Sequence, residues 1–236
     1  MDINVIISFL KKDEIKNLSI IGFIENNPIS KVWQLGNSAA VKGNSDKDWI
    51  YFSSDNEDEF KEILLLINDK TKYYGGLTPW MIPLLSKNKK PDWVLYSLSY
   101  YLPADVTVNS NKFETRKLTP GDADYIIEHS DYKQFLSTEY VNDRINKSWS
   151  AGIEINGTLA AWGLTHDDGA LGSLHVLDKH RRKHLAEEIV ISLIHQCREE
   201  GKIPFAQIEE QNIASRKLVK KLGFVKDRET VWMKVK

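Results

Sequence analysis

Apolar residues recur at helical spacing in the first 26 positions, as Ile3, Ile6, Ile7 and Leu10 and then Ile15, Leu18 and Ile21. The pattern predicts helices over 2–11 and 13–26, the second closed by Asn26-Asn27-Pro28. Short strand-like runs follow at Ser30–Leu35, Ala39–Lys42 and Trp49–Phe52, divided by Gly36-Asn37 and Gly43-Asn44-Ser45. Ser54 or Asp55 is placed to cap a helix through Asn68, with Phe60, Ile63, Leu64 and Ile67 on one stripe. Pro79, Pro83 and Pro91 interrupt the next stretch before a strand at Trp93–Tyr101.

Leu102–Asn111 has turn composition and is expected to divide a 1–109 N-terminal α+β domain from a 110–236 domain. Beyond it a strand is expected at Phe113–Leu118. Thr119-Pro120-Gly121-Asp122 then starts a helix with Thr as cap and Pro at the first position. A second helix is expected around Tyr132–Arg144. Strands at Ala151–Ile155 and Leu159–Leu164 flank Asn156-Gly157, a strong two-residue hairpin signal. A third strand, Leu171–Val176, leads into a basic loop and a helix from near Lys183 to Glu200. A strand at Phe205–Ile208, a helix at Ile213–Leu222 and a strand at Thr230–Val235 close the chain.

Composition narrows the function classes. With 32 Lys and Arg against 33 Asp and Glu, no global field gathers DNA or acidic membrane, so any anion site must be local. Cys197 is the single cysteine, which excludes an internal disulfide and suits a reducing compartment. Its place in a helical pattern reads as an inert thiol. The N-terminus lacks the charge order of a signal peptide, and no apolar run spans a bilayer, so the expected location is cytoplasmic.

The candidate chemistry sits at the junction Leu174-His175-Val176-Leu177-Asp178-Lys179-His180-Arg181-Arg182-Lys183-His184-Leu185-Ala186. A helix start presents unpaired N–H groups and the positive end of the helix dipole. Surrounded by guanidinium donors, it suits a pyrophosphate. Taken alone, such a run is a solvated basic loop or a weak nucleic-acid patch; its place at a strand-to-helix turn favours the anion site.

The run resembles the acyl-CoA motif of the GNAT superfamily, Arg/Gln-x-x-Gly-x-Gly/Ala, with Arg181, His184 and Ala186 at its defined positions. A second block, Asn212-Ile-Ala-Ser215 through Leu222-Gly223-Phe224, resembles the one that closes these domains. Ala161–Thr165 and Leu174–Val176 resemble the glycine N-acyltransferase-like branch. The resemblance covers 113–236 and is thin over 1–110, where that branch carries a divergent GNAT-like partner domain. It implies an α/β (α+β) GNAT fold: a central mixed, mostly antiparallel sheet flanked by helices, preceded by a smaller α+β domain.

It further implies transfer of an acetyl or short acyl group from acetyl-CoA or another acyl-CoA to a primary amine, by direct attack in a ternary complex. Val176 would orient the pantetheine and thioester. Arg181, Arg182, Lys183, His184, Leu185 and Ala186 would hold the pyrophosphate, and Asn212 and Ser215 the exit of the CoA arm. The motif glycine is replaced by His184. The tyrosine that protonates the leaving thiolate in many relatives is Val219, and the usual strand glutamate is Ser173 or Ala170. His175 is the best substitute base, with Glu154 and Glu209 as further candidates. Trp149, Trp162 and Trp232 read as core aromatics. The acceptor pocket would come from about Thr119–Lys147 (Tyr125, Glu128, Asp131, Tyr132, Glu139, Tyr140) and would take a small-molecule or peptide amine. No metal, nucleic acid or membrane is expected as partner. A homodimer is compatible with the sequence. The rival reading is a CoA-binding sensor or scaffold without catalysis, motivated by Val219 and Ser173.

Overall fold

The structure is a computed structural model that describes residues 3–68, 70–87, 89–109, 112–130, 133 and 136–236. Asn111, Asp131 and Tyr132, named above, lie outside the described residues. The chain divides into two compact units, one of residues 1–100, 207–216 and 226–236, the other of residues 101–206 and 217–225.

Helices α1 (Ile3–Leu10) and α2 (Glu14–Asn26) open the first unit. Strands β1 (Ile29–Leu35), β2 (Ser38–Asn44) and β3 (Asp48–Ser53) follow as an antiparallel meander, then α3 (Glu57–Leu66), β4 (Tyr73–Leu77), α4 (Met81–Ser86) and β5 (Pro91–Tyr101). Alternation decides which helices cover which face. Ala39, Val41 and Tyr51 pack with Ile6, Leu10, Ile20 and Phe23 of α1 and α2. The intervening Ala40, Ile50 and Phe52 pack with Phe60 and Ile63 of α3 and Met81 and Leu85 of α4. The seven-stranded sheet has the order β1-β2-β3-β4-β10-β5-β9, with β9 at Phe205–Ile208 and β10 at Val225–Val235.

Two elements here escaped the hydrophobic pattern. Strand β4, in a stretch for which the pattern gives no element, carries Gly75 and Gly76 and runs parallel to β3 with Tyr51 opposite Gly75. A Cβ on Gly75 would meet the Tyr51 ring at 2.9 Å, so the missing side chain makes room for that ring. Helix α4 contains Pro83 in its first turn, where a backbone N–H has no helical partner to lose.

The second unit holds α5 (Ala123–His129), α6 (Thr138–Lys147) and the three-stranded antiparallel sheet β6 (Ser150–Ile155), β7 (Thr158–Thr165), β8 (Leu171–Val176). Helix α7 (Leu185–Glu199) follows. The β6–β7 hairpin turns on Asn156 (φ 53°) and Gly157 (φ 73°), both left-handed as a type I′ turn requires. Trp162 and Leu164 of β7 face α5 and α6 in a core with Ile126, Val141 and Ile145. Gly163, between them, faces α7: a Cβ there would lie 2.6 Å from Ile189. Helix α8 (Ile213–Lys221) precedes β10.

Three expectations for this region need correction. Residues 113–118 form no strand; Arg116 makes one bridge to Gly152, while Lys112 N–H donates to Glu188 and the Thr115 and Ser192 hydroxyls bond. The Ser150 side chain takes the Leu118 N–H that a continued ladder would have used. The helix around Tyr132–Arg144 begins later, at Thr138, where the Ser137 hydroxyl accepts from Tyr140 N–H as its cap. The helix expected near Lys183 starts at Leu185.

Candidate functional site

Strand β8 delivers the chain to the basic loop, but it does not run straight. Its pairing with β7 shifts between Trp162 and Leu164, and Ser173 on the bulged side takes φ 46°. A non-glycine residue held left-handed inside a strand costs of order 1 kcal/mol, so the surrounding pairing must impose it. The sequence carries no sign of this bulge, because serine has no preference for that geometry.

Past Val176, a short turn at Asp178–His180 leads to Arg181, Arg182, Lys183 and His184, all exposed. Arg182 (φ 61°) and His184 (φ 65°) are also left-handed. His184 is the N-cap of α7 and gives the helix start no side-chain cap, so the first-turn N–H groups of Leu185 and Ala186 keep their donors. The αL geometry explains why relatives of the motif carry glycine at this point. The histidine ring folds back on the helix: Nδ1 lies 3.0 Å from Glu187 Oε2, which also accepts from Lys221 Nζ at 2.7 Å. The Lys221 hydrogen bond chiefly, with help from His184, holds the Glu187 carboxyl below its ordinary range. The imidazole therefore turns toward Glu187, leaving the backbone N–H groups of Leu185 and Ala186 and the side chains of Arg181 and Arg182 as the donors around the helix start. His184→Gly is expected to raise stability by about 0.5–1 kcal/mol by relieving the left-handed strain. A urea midpoint that stays put or falls in that variant would show the turn is not strained.

Arg181 is the better-placed guanidinium. Its Nη2 lies 2.8 Å from Asp178 Oδ1 and its Nε donates to Val176 O at 3.4 Å, with over half of the side chain exposed. This exposed pair is weak enough to be exchanged for a phosphate. Burial, then Lys183 and Lys179, push the His180 imidazole below its usual range, so the positive charge of the loop belongs to the arginines and lysines.

The remaining sequence candidates fall elsewhere. His175 of β8 lies flat on Trp162, ring centroids 4.6 Å apart. Glu154 is on the far strand of the sheet, where Oε1 accepts from Arg116 Nε at 2.7 Å. Arg116 is bidentate to Asp122 as well, so Glu154 belongs to a surface ion-pair network rather than to a free base. Asn212 caps α8 by accepting from Ser215 N–H at 3.1 Å; both residues belong to the first compact unit, and the loop 176–186 to the second. Val219 is buried where a catalytic tyrosine would have been. Cys197 is buried, and burial pushes its thiol up to about 12, which removes it as a nucleophile. Among the described residues no group of three or more His, Cys, Asp or Glu could hold a metal ion, and no helix is long and apolar enough to cross a membrane.

A polar cluster that sequence reading missed lies at the opposite end of β8. Arg144 of α6 and Asp168 of the β7–β8 loop are both buried. Arg144 Nη1 donates to His166 O at 3.4 Å and its Nη2 pairs with Asp143. Asp168 Oδ1 accepts from Ala170 N–H at 3.1 Å. In the sequence these residues pass for an ordinary polar turn, Thr165-His166-Asp167-Asp168-Gly169.

The helix start of the first unit that follows its own third strand is built in the opposite sense. The Asn56 side chain accepts from Asp58 N–H at 2.9 Å and Glu59 N–H at 3.1 Å, and the first turn of α3 reads Glu57-Asp58-Glu59. Its donors are consumed and its charge is negative.

Residues 152–233, about a third of the chain, match the FR47-like protein family. No curated protein matches the chain by sequence. A solved protein of Drosophila superposes with a TM-score of 0.81 at 19% identity, covering 99% of this chain and 95% of that one. A GCN5-related N-acetyltransferase from Kribbella flavida gives a TM-score of 0.60 at 13% identity, covering 94% of each chain. A GCN5-related N-acetyltransferase-like protein from Streptococcus suis gives 0.56 at 14%, covering 97% of this chain and 98% of that one. The architecture is the GNAT fold, a mixed α/β arrangement with a central mixed sheet flanked by helices, as the sequence led us to expect.

Proposed function

We propose that the chain is an acyl-CoA-dependent N-acyltransferase that moves an acetyl or short acyl group to a primary amine by direct attack. The observation that carries this reading is the uncapped start of α7, preceded by Arg181, Arg182 and Lys183. The match of residues 152–233 to the FR47-like family and the GNAT fold support it. In this reading Arg181, Arg182, Lys183 and the N–H groups of Leu185 and Ala186 bind the pyrophosphate, and the pantetheine runs back along β8 from Val176. The thioester carbonyl then lies at the Ser173 bulge, where strand N–H groups can polarise it. Residues 110–236 carry the activity. With Cys197 inert, a covalent acyl-enzyme has no nucleophile, and the amine attacks directly.

One chain should bind one acetyl-CoA. Both halves run through three antiparallel strands, a helix, a strand, a helix and a long strand, so the fold alone would allow two sites. The capped, acidic start of α3 repels a pyrophosphate, whereas that of α7 attracts it. Titration calorimetry with acetyl-CoA measures the ratio, and thiol release with added amine measures transfer. A ratio of two would show that the acidic first turn is no barrier. Binding with no thiol release from any amine would favour a CoA-binding sensor over an enzyme.

A further inference from the structure

We propose that His166 is the general base that takes the proton from the acceptor's ammonium group, an inference that rests on the acyl-transfer reading above.

The geometry comes from the β7–β8 ladder. Leu164 pairs with Gly172, and Trp162 with His175, so these positions share the face covered by α5 and α6. Gly172 has no side chain, and the His166 ring fills its place: a Cβ on Gly172 would lie 2.1 Å from Nε2. Gly172 immediately precedes the bulged Ser173. With about 3.8 Å between consecutive Cα atoms, the imidazole nitrogen lies within roughly 7 Å of the Ser173 Cα, at the bulge where the thioester is placed. His166 is half-buried, so an amine that reaches the bulge along the rim of this face arrives beside it, within direct or one-water reach.

The other candidates lack this position. Glu154 is bound to Arg116, and His175 lies flat on Trp162, farther along β8. The groups around His166 hold it in place. On its own loop, Asp168 fixes the turn through Ala170 N–H, and Gly169 N–H donates to His166 O at 2.9 Å. From α6, Arg144 donates to the same carbonyl and is itself paired with Asp143. Burial lowers the imidazole's affinity for protons, Arg144 adds to this, and Asp168 partly offsets it. A neutral ring at neutral pH is free to accept a proton.

The step balances within the reactants. The ammonium R–NH3+ loses one proton to His166 and becomes R–NH2. The nitrogen forms a bond to the thioester carbon, the C–S bond breaks, and the electron pair leaves on sulfur. The nitrogen's second proton passes to that thiolate, giving the amide and free CoA thiol. His166 then returns its proton to water.

The test measures thiol release from acetyl-CoA between pH 5 and 9 with glycine, a lysine-containing tetrapeptide and spermidine as acceptors. Wild type, His166→Asn and His175→Asn are compared, and acetyl-CoA binding is followed by calorimetry. The expected result for His166→Asn is unchanged acetyl-CoA binding, a loss of about 10²–10³-fold in kcat/KM, and disappearance of the acid limb of the profile. In wild type that limb lies on the acid side of an ordinary histidine's, because a base with a lowered pKa is protonated only at lower pH. A merely structural histidine would lower the activity without moving the limb. An intact acid limb in His166→Asn, or its loss in His175→Asn alone, overturns the assignment while leaving acyl transfer standing. Acetyl-CoA binding with no amine-dependent release in wild type overturns both.

Discussion

Replacing Arg181 and Arg182 together by alanine is expected to weaken acetyl-CoA binding by about 100-fold or more. Each guanidinium can give a phosphate oxygen a charge-assisted hydrogen bond worth about 1.5–3 kcal/mol. The lower end applies here, because Arg181 is more than half exposed and must leave Asp178 to bind. Two bonds at that end make about 3 kcal/mol, a little over two decades of affinity. Both residues are exposed outside the core, so the urea midpoint of the double variant should match wild type. Raising the salt should weaken wild-type binding more steeply than the residual binding of the variant, which keeps Lys183. Binding within threefold of wild type would mean that the basic loop is a solvated surface and that the proposed pyrophosphate site is wrong.

Trp162→Ala should produce the largest loss of stability in the second unit, about 3–5 kcal/mol. Trp162 is 1% exposed and sits among Leu118, Ile126, Val141, Ile145, Leu159 and Leu164. It also stacks on His175 at 4.6 Å and meets Tyr125 edge-on at 6.2 Å. Replacing the indole by a methyl group leaves a void in a packed core, so the cavity cost adds to the lost burial. Followed by far-UV circular dichroism, the urea midpoint should fall by more than about 1 M, given slopes of about 1–3 kcal/mol per molar for ordinary domains. His175→Ala should cost far less, about 0.5–1.5 kcal/mol, since it removes one ring contact and opens no deep cavity. Equal losses in the two variants would place the main packing energy in the stack and not in the core.

Much of the fold was legible because local patterns carry it. The Ile3–Leu10 stripe, the Asn156-Gly157 hairpin and the strand at Leu171–Val176 each follow from a period or a turn preference that holds without neighbours. The unread elements depend on what they meet. Tyr73–Leu77 is a strand because β3 lies beside it and the Tyr51 ring needs the space that Gly75 leaves. Residues 113–118 have strand propensity yet make a single bridge, Arg116 to Gly152, and give the Leu118 N–H to the Ser150 hydroxyl.

The candidate site divides the same way. The chain's own order puts a strand, a basic run and a helix in succession, so a helix start among arginines was determined by sequence alone, as was the single cysteine. Whether that helix start is open was decided by tertiary structure, because Lys221, 34 residues away, holds the Glu187 carboxylate toward which the ring of left-handed His184 turns. The Ser173 bulge and the placing of His166 over Gly172 likewise arise from the pairing of β7 with β8. Sequence specifies which groups exist and which local turns are cheap. Where a side chain points, and what a strained residue is held against, depends on neighbours distant in the chain.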